Sequence, residues 1–212
     1  MDLKPQYREL EEKDYQDVLD LVTETWNYAE WVQPDMIASM AGYFLNDALL
    51  VSDRCIVAEI DGRFAGIVTA SVGQCNRLTG FLMQQQLNIL MTLTADLSGR
   101  IGVFYQYLQT KKINQNMLNS VTGRFDGHIP LFIVKSEFKG MGLGSALFSQ
   151  VMDIFRLNEV KNYFLFSDSA SNHDFYRHKG MTKIRNHTFL WDEADPATAE
   201  DYYLFEGRVA KG

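Results

Sequence analysis

The sequence predicts one mixed α/β domain, on three observations. Apolar residues recur at helical spacing in several segments, and short β-rich runs alternate with those segments. Two of the runs are joined by Asp61-Gly62, a strong short-range signal for a β-hairpin. The 212 residues suffice for one well-buried domain, and a hydrophobic fraction of 46% with 13% aromatics belongs to a packed chain, not a disordered one.

The elements follow in order. YREL near the start is a short strand. KDYQDVLDLVTETWNYAEW is a helix, with Val18, Leu19, Leu21, Val22 and Trp26 on its apolar face. Pro34-Asp35 precedes a second helix over MIASMAGYFLNDAL. RCIVAEIDGRFAGIVTASV is the hairpin. Between residues 78 and 119, FLMQQQLNILMTL and GVFYQYLQTKKINQNML carry no proline and read as two helices. This pair packs on the core, walls a substrate pocket or forms the face of a homodimer. HIPLFIV is then a strand with Pro130 inside it, and a proline within a sheet marks an edge or a bulge. A helix starts at Leu143, with Leu147, Val151, Ile154 and Phe155 on one face. NYFLFS is a strand, NHDFYRH a short helix stopped by Gly180, and MTKIRNHTFLW and DYYLFEG are the closing strands.

Composition narrows the function. A net charge of -7 and a pI near 5.1 argue against a nucleic-acid partner, which needs a basic stripe. They are compatible with a cationic substrate. Cys55 and Cys75 are too few for a disulfide framework and lack metal spacing, as do His173, His178 and His187, so no metal is expected. The first residues are charged, without the apolar core of a secretory signal, and no run of about 18 apolar residues occurs. The expected setting is cytoplasmic, with two thiols kept reduced and no membrane contact.

The most informative stretch is IPLFIVKSEFKGMGLGSALFSQ. A strand that enters a helix through Gly140, Gly142 and Gly144 gathers unpaired backbone N–H groups at the positive end of the helix dipole, which suits a diphosphate. A P-loop needs Lys-Ser/Thr after its last glycine, and Ser145-Ala146 stands there instead. A dinucleotide fingerprint needs a glycine at Ser145 and a place in the first βα unit.

The segment Lys139-Gly140-Met141-Gly142-Leu143-Gly144 resembles the acetyl-CoA pyrophosphate loop of the GNAT superfamily of N-acetyltransferases, which reads Arg or Gln, two residues, Gly, one residue, then Gly or Ala. NHDFYRHKGM resembles the same family's later motif, an aromatic-Tyr pair four residues before a glycine, here Phe175, Tyr176 and Gly180. The order of elements matches loosely over residues 5 to 75 and well over 126 to 206, with 78–119 as a helical insertion. The chain departs from the pattern at Lys139, a point charge in place of a forked donor, at Ser169 and Asn172, and at Met181.

The resemblance implies a twisted, mostly antiparallel sheet flanked by helices. It also implies transfer of an acetyl group from acetyl-CoA to a primary amine of a small molecule or peptide, within a ternary complex. The bulged strand Phe132-Ile133-Val134 would offer backbone groups to the pantetheine and the acetyl carbonyl. Lys139 to Ser145 (Lys139, Gly140, Met141, Gly142, Leu143, Gly144, Ser145) would hold the phosphates, with Asn172 and Phe175 along the arm. Tyr176 is the expected general acid for the leaving thiolate. His128 stands where many members carry a basic glutamate, and Asp126 is a second candidate base. Trp26, Tyr28 and Trp31 either wall the acceptor cleft or belong to the core. Two other classes fit the same cradle: a non-catalytic acyl-CoA-binding or sensing module, and a nucleotide-binding regulator.

Overall fold

A computed structural model of the chain describes residues 4–73, 78–94 and 101–210. Cys75 lies outside the described residues, as does the side chain of Trp31.

The chain opens with β1 (Pro5–Glu9), then α1 (Tyr15–Thr25), α2 (Tyr28–Trp31) and α3 (Ile37–Leu50). The single helix expected over residues 13 to 31 is interrupted because Asn27 takes a left-handed conformation, φ 47°, which stops α1 before α2 begins. The hairpin strands are β2 (Arg54–Ile60) and β3 (Arg63–Ala70). Asp61 and Gly62 between them both have positive φ, 51° and 73°, as a tight two-residue turn of primed type requires. The two helices of the 78–119 segment are α4 (Thr79–Thr94) and α5 (Ile101–Asn119). The remaining elements are β4 (Gly127–His128), β5 (Phe132–Val134), α6 (Leu143–Leu157), β6 (Asn162–Asp168), α7 (Asp174–His178), β7 (Thr182–Leu190) and β8 (Ala199–Arg208).

The strands form two four-stranded sheets, ordered β1-β2-β3-β5 and β4-β6-β8-β7. All pairings are antiparallel except β4 with β6. The sheets are bridged where Ser71 and His128 exchange backbone bonds at 2.9 and 3.1 Å.

Side-chain alternation sorts the core into layers. On the first sheet, Val57 and Ile67 face α1 and α3, packing with Val18, Val22, Leu45 and Leu49. Their neighbours Ile56, Ala58 and Val68 face α6, with Leu147, Val151 and Phe155. On β8, Tyr203 and Phe205 join the α6 side, while Tyr202 and Leu204 pack against Ile113 and Met117 of α5. Each fully buried leucine or valine in these layers stabilises the fold by roughly 1.5–3 kcal/mol. Thus α6 covers one face of both sheets, and α5 covers the other face of the second.

Candidate active site

The site begins with a strand that the sequence reads as continuous and the structure divides. Pro130 has no N–H to give a ladder, and the segment breaks at it into β4 and β5. β4 bonds to β6, with Gly127 opposite Tyr163 and His128 opposite Phe164. Among the described residues β5 bonds only to β3, with Phe132 opposite Val68 and Val134 opposite Gly66. Beyond Phe164, β6 therefore runs on with β8 but without β5, and the two sheets part.

Which β5 groups face that gap follows from the ladder. The Thr69 N–H donates to the Leu131 carbonyl at 2.8 Å, and the Lys135 N–H donates to the Ala65 carbonyl at 2.9 Å. In an antiparallel pair the bonded residues alternate, so Leu131, Ile133 and Lys135 direct their main chains to β3. The N–H and C=O of Phe132 and Val134 point the other way, into the opening. The main chain of Ile133 is committed to β3 and its side chain is buried, so it offers the opening nothing. Thr69 fixes this geometry: its buried hydroxyl also accepts from the Leu131 N–H, at 3.0 Å. No periodicity or motif in the sequence singles it out.

After β5 a short 3₁₀ turn, Ser136–Phe138, buries Phe138 and delivers the chain to the glycines. Gly140 and Gly142 have φ of 83° and 79°, and Gly142 is the residue from which α6 starts. A Cβ at either would meet nothing within 4 Å, so left-handed backbone, not crowding, makes glycine the residue of choice, and the outer face of the loop is open. The first i to i−4 bond of the helix runs from the Ala146 N–H to the Gly142 carbonyl at 3.0 Å. The amides of Leu143, Gly144 and Ser145 lie in the turn before it, where an α-helix supplies no acceptor. Leu143 buries its side chain beneath the loop, whereas Met141 is 46% exposed.

The short helix α7 closes the other side. The ring of Phe175 lies 3.5 Å from where a Cβ of Gly144 would be, and 5.4 Å from the ring of Phe132. Tyr176 sits 6.4 Å from Phe132 and 5.6 Å from Phe205, ring to ring. Its hydroxyl has no hydrogen-bond partner among the described residues. Burial, reinforced by the Asp168 carboxylate, pushes its pKa well above the ordinary tyrosine value, so it stays protonated and free to donate. Asn172 is exposed at the start of this helix, and its carbonyl accepts from the Phe175 N–H. The Lys179 ammonium, just past α7, donates to the Ser145 hydroxyl at 2.8 Å.

The bases are placed less favourably. The His128 ring stacks flat on Phe164 at 4.2 Å, with Phe166 edge-on at 6.0 Å. Burial lowers its pKa to about 3, so it is a neutral ring and a feeble proton acceptor at physiological pH. Asp126 uses one carboxylate oxygen to accept from the amides of Lys161 and Asn162, at 3.3 and 3.4 Å, pinning the start of β6. Tyr28 is a buried core residue, and Trp26 packs on the same core with its ring 4.7 Å from Phe44.

α5 joins the two halves over the face opposite α6. Lys111 pairs with Asp47 of α3 at 2.7 Å, Tyr107 stacks edge-on to Tyr43 at 5.2 Å, and Thr110 meets the Tyr202 hydroxyl at 3.3 Å. A cleft of about 380 Å³ lies between α5 and β7, lined in part by Lys112, Ile113, Met117, Arg185, His187 and Phe189. It sits at the β7 edge of the second sheet, whereas β4, with His128, forms the opposite edge. Among the described residues no cluster of His, Cys, Asp and Glu could hold a metal, and no helix is long and apolar enough to cross a membrane.

Comparison with known proteins bears on these features together. No curated protein matches the chain in sequence. Solved structures match its fold along nearly the whole length. Arylalkylamine N-acetyltransferase 2 from Aedes aegypti aligns with a TM-score of 0.56 at 14% identity, covering 98% of this chain and 100% of its own. The ribosomal-protein-S18-alanine N-acetyltransferase of Escherichia coli gives 0.56 at 10% identity, with 99% and 96% covered. Ard1 from Thermoplasma volcanium gives 0.51 at 15% identity, with 98% and 99% covered. The model of the GNAT acetyltransferase family matches residues 15–181, a span that holds the parted strands, the glycine turn and Tyr176. The chain belongs to the GNAT acetyltransferase family.

Proposed function

We propose that the chain is an N-acetyltransferase that moves an acetyl group from acetyl-CoA to a primary amine of a small molecule or peptide, by direct transfer while both are bound. We read residues 1–212 as one catalytic domain with 78–119 inserted into it, working in the cytoplasm. The observation that carries the reading is the convergence of three features at one opening: the unpaired edge of β5, the glycine turn and the free hydroxyl of Tyr176.

The residues fit the coenzyme. The Leu143, Gly144 and Ser145 amides suit its diphosphate, on a loop whose outer face would admit even a Cβ. The main-chain groups of Phe132 and Val134 suit the amides of the pantetheine arm, and Phe175 backs the turn. Acetyl-CoA supplies the activated acyl group as a thioester. In the transfer the amine nitrogen bonds to the acetyl carbon, the carbon–sulfur bond breaks, and the thiolate takes a proton. A main-chain N–H in the β5 opening is suited to the carbonyl oxygen as it gains charge. Tyr176 donates a hydrogen bond to the sulfur as it gains charge, its raised pKa keeping the hydroxyl protonated for that role, and the proton that ends on the thiol is balanced by the one the amine sheds.

The acceptor enters from the face covered by α5, which we read as a wall of its pocket and not as core padding alone. The amine must shed a proton, and His128 is a poor recipient while buried. That observation favours the second reading, an acyl-CoA-binding module without chemistry. One experiment separates them: acetyl-CoA incubated with a panel of amines and peptide N-termini, followed by thiol release and by calorimetric titration with CoA. Turnover on any acceptor supports the enzyme, CoA binding without turnover supports the module, and absence of CoA binding sinks both.

A further inference from the structure

We propose that Lys179 is a phosphate-binding residue of the coenzyme site, in the role that the sequence pattern assigns to Lys139. The proposal rests on the acetyl-CoA reading above. Lys139 is exposed, and its side chain makes no hydrogen bond or ion pair among the described residues. A long exposed side chain of that kind must be ordered on binding, at a cost in rotamer entropy.

Lys179 is already in place. Its ammonium lies 2.8 Å from the Ser145 hydroxyl, in the first turn of α6 beside the free amides of Leu143 and Gly144. The same ammonium rests over two rings, 5.4 Å from the centre of Phe175 and 5.8 Å from Phe148, which hold its stem. No carboxylate among the described residues pairs with it; the nearby Asp174 is taken up by Arg177, at 3.6 Å. An ammonium has three N–H donors and Ser145 uses one, so two remain for an anion. The positive charge, the helix dipole and the unpaired amides thus converge on one spot, and each favours a phosphate.

The test compares Lys179→Met, Lys179→Arg and Lys139→Met with the wild-type protein by calorimetric titration with CoA at low and high salt. Lys179→Met keeps an apolar stem over both rings while removing the charge. It is expected to weaken CoA about ten-fold, the usual scale for a charge-assisted hydrogen bond, and to flatten the salt dependence. Lys179→Arg is expected to recover most of the affinity, and Lys139→Met to change it little. Acetyl-pantetheine, which lacks every phosphate, is the control: kcat/KM with this donor should not move in Lys179→Met. Dephospho-CoA distinguishes the diphosphate from the 3′-phosphate as the partner, and an unchanged ten-fold loss with it supports the diphosphate. Wild-type affinity in Lys179→Met overturns the proposal alone. Equal losses with CoA and acetyl-pantetheine also overturn it, since they reveal a packing role. Wild-type protein that fails to bind CoA overturns the acetyl-CoA reading, and this proposal with it.

Discussion

Thr69 holds Leu131 from two sides, its amide donating to the Leu131 carbonyl at 2.8 Å and its hydroxyl accepting from the Leu131 N–H at 3.0 Å. Pro130 next door removes one ladder donor, and this pair closes the register immediately after the gap. Replacing Thr69 by Val keeps the shape and strands a buried N–H without an acceptor. Urea denaturation of Thr69→Val should show a loss of about 1–3 kcal/mol, and Thr69→Ser should restore most of it.

Tyr176→Phe removes a hydroxyl that has no hydrogen-bond partner among the described residues. The expected result is a fall in kcat of about 100-fold or more with CoA affinity nearly unchanged. Because the folded pKa lies above the usual value, the wild-type rate should show no loss of this proton donor as pH rises to the ordinary tyrosine value of 10.0. A parallel collapse of CoA affinity would assign the hydroxyl to binding.

His128 makes an opposite prediction. Its pKa is about 3 when folded and near 6.5 when exposed, so the unfolded chain takes up a proton first as the solution is acidified. Its contribution to stability is whole above pH 6.5 and is lost progressively between 6.5 and 3. Stability against pH for His128→Gln should therefore be flatter in that window. The pH profile of kcat/KM should also lack a limb near 6.5 that this substitution removes.

Gly142→Ala tests the turn itself. The new methyl meets no atom within 4 Å, so the whole penalty is that of left-handed backbone, about 1–2 kcal/mol. Thermal melts should register that loss, and calorimetry should register weaker CoA binding as the amides shift.

Much of this could be read from the chain. The hairpin at Asp61-Gly62, the α6 stripe from Leu143 to Phe155 and the glycine turn all follow from local rules, and all three stand in the structure. The parting of HIPLFIV was only half legible: Pro130 signals an irregular strand, but which sheet each half joins depends on β3 and β6, which are distant in sequence. His128 shows the same limit. Its ring chemistry is visible in the sequence, whereas its low basicity comes from Phe164 and Phe166 on another strand. Asn27 takes positive φ without the glycine that usually announces it, so the break between α1 and α2 went unsignalled.

The α5 helix is bolted to α3 through Lys111 and Asp47 and to β8 through Thr110 and Tyr202. Any spreading of the wedge beside β5 pulls on both fastenings at once. Parting of the two sheets is therefore tied to this brace, and widening the gap means giving up an ion pair on one side or a hydroxyl contact on the other.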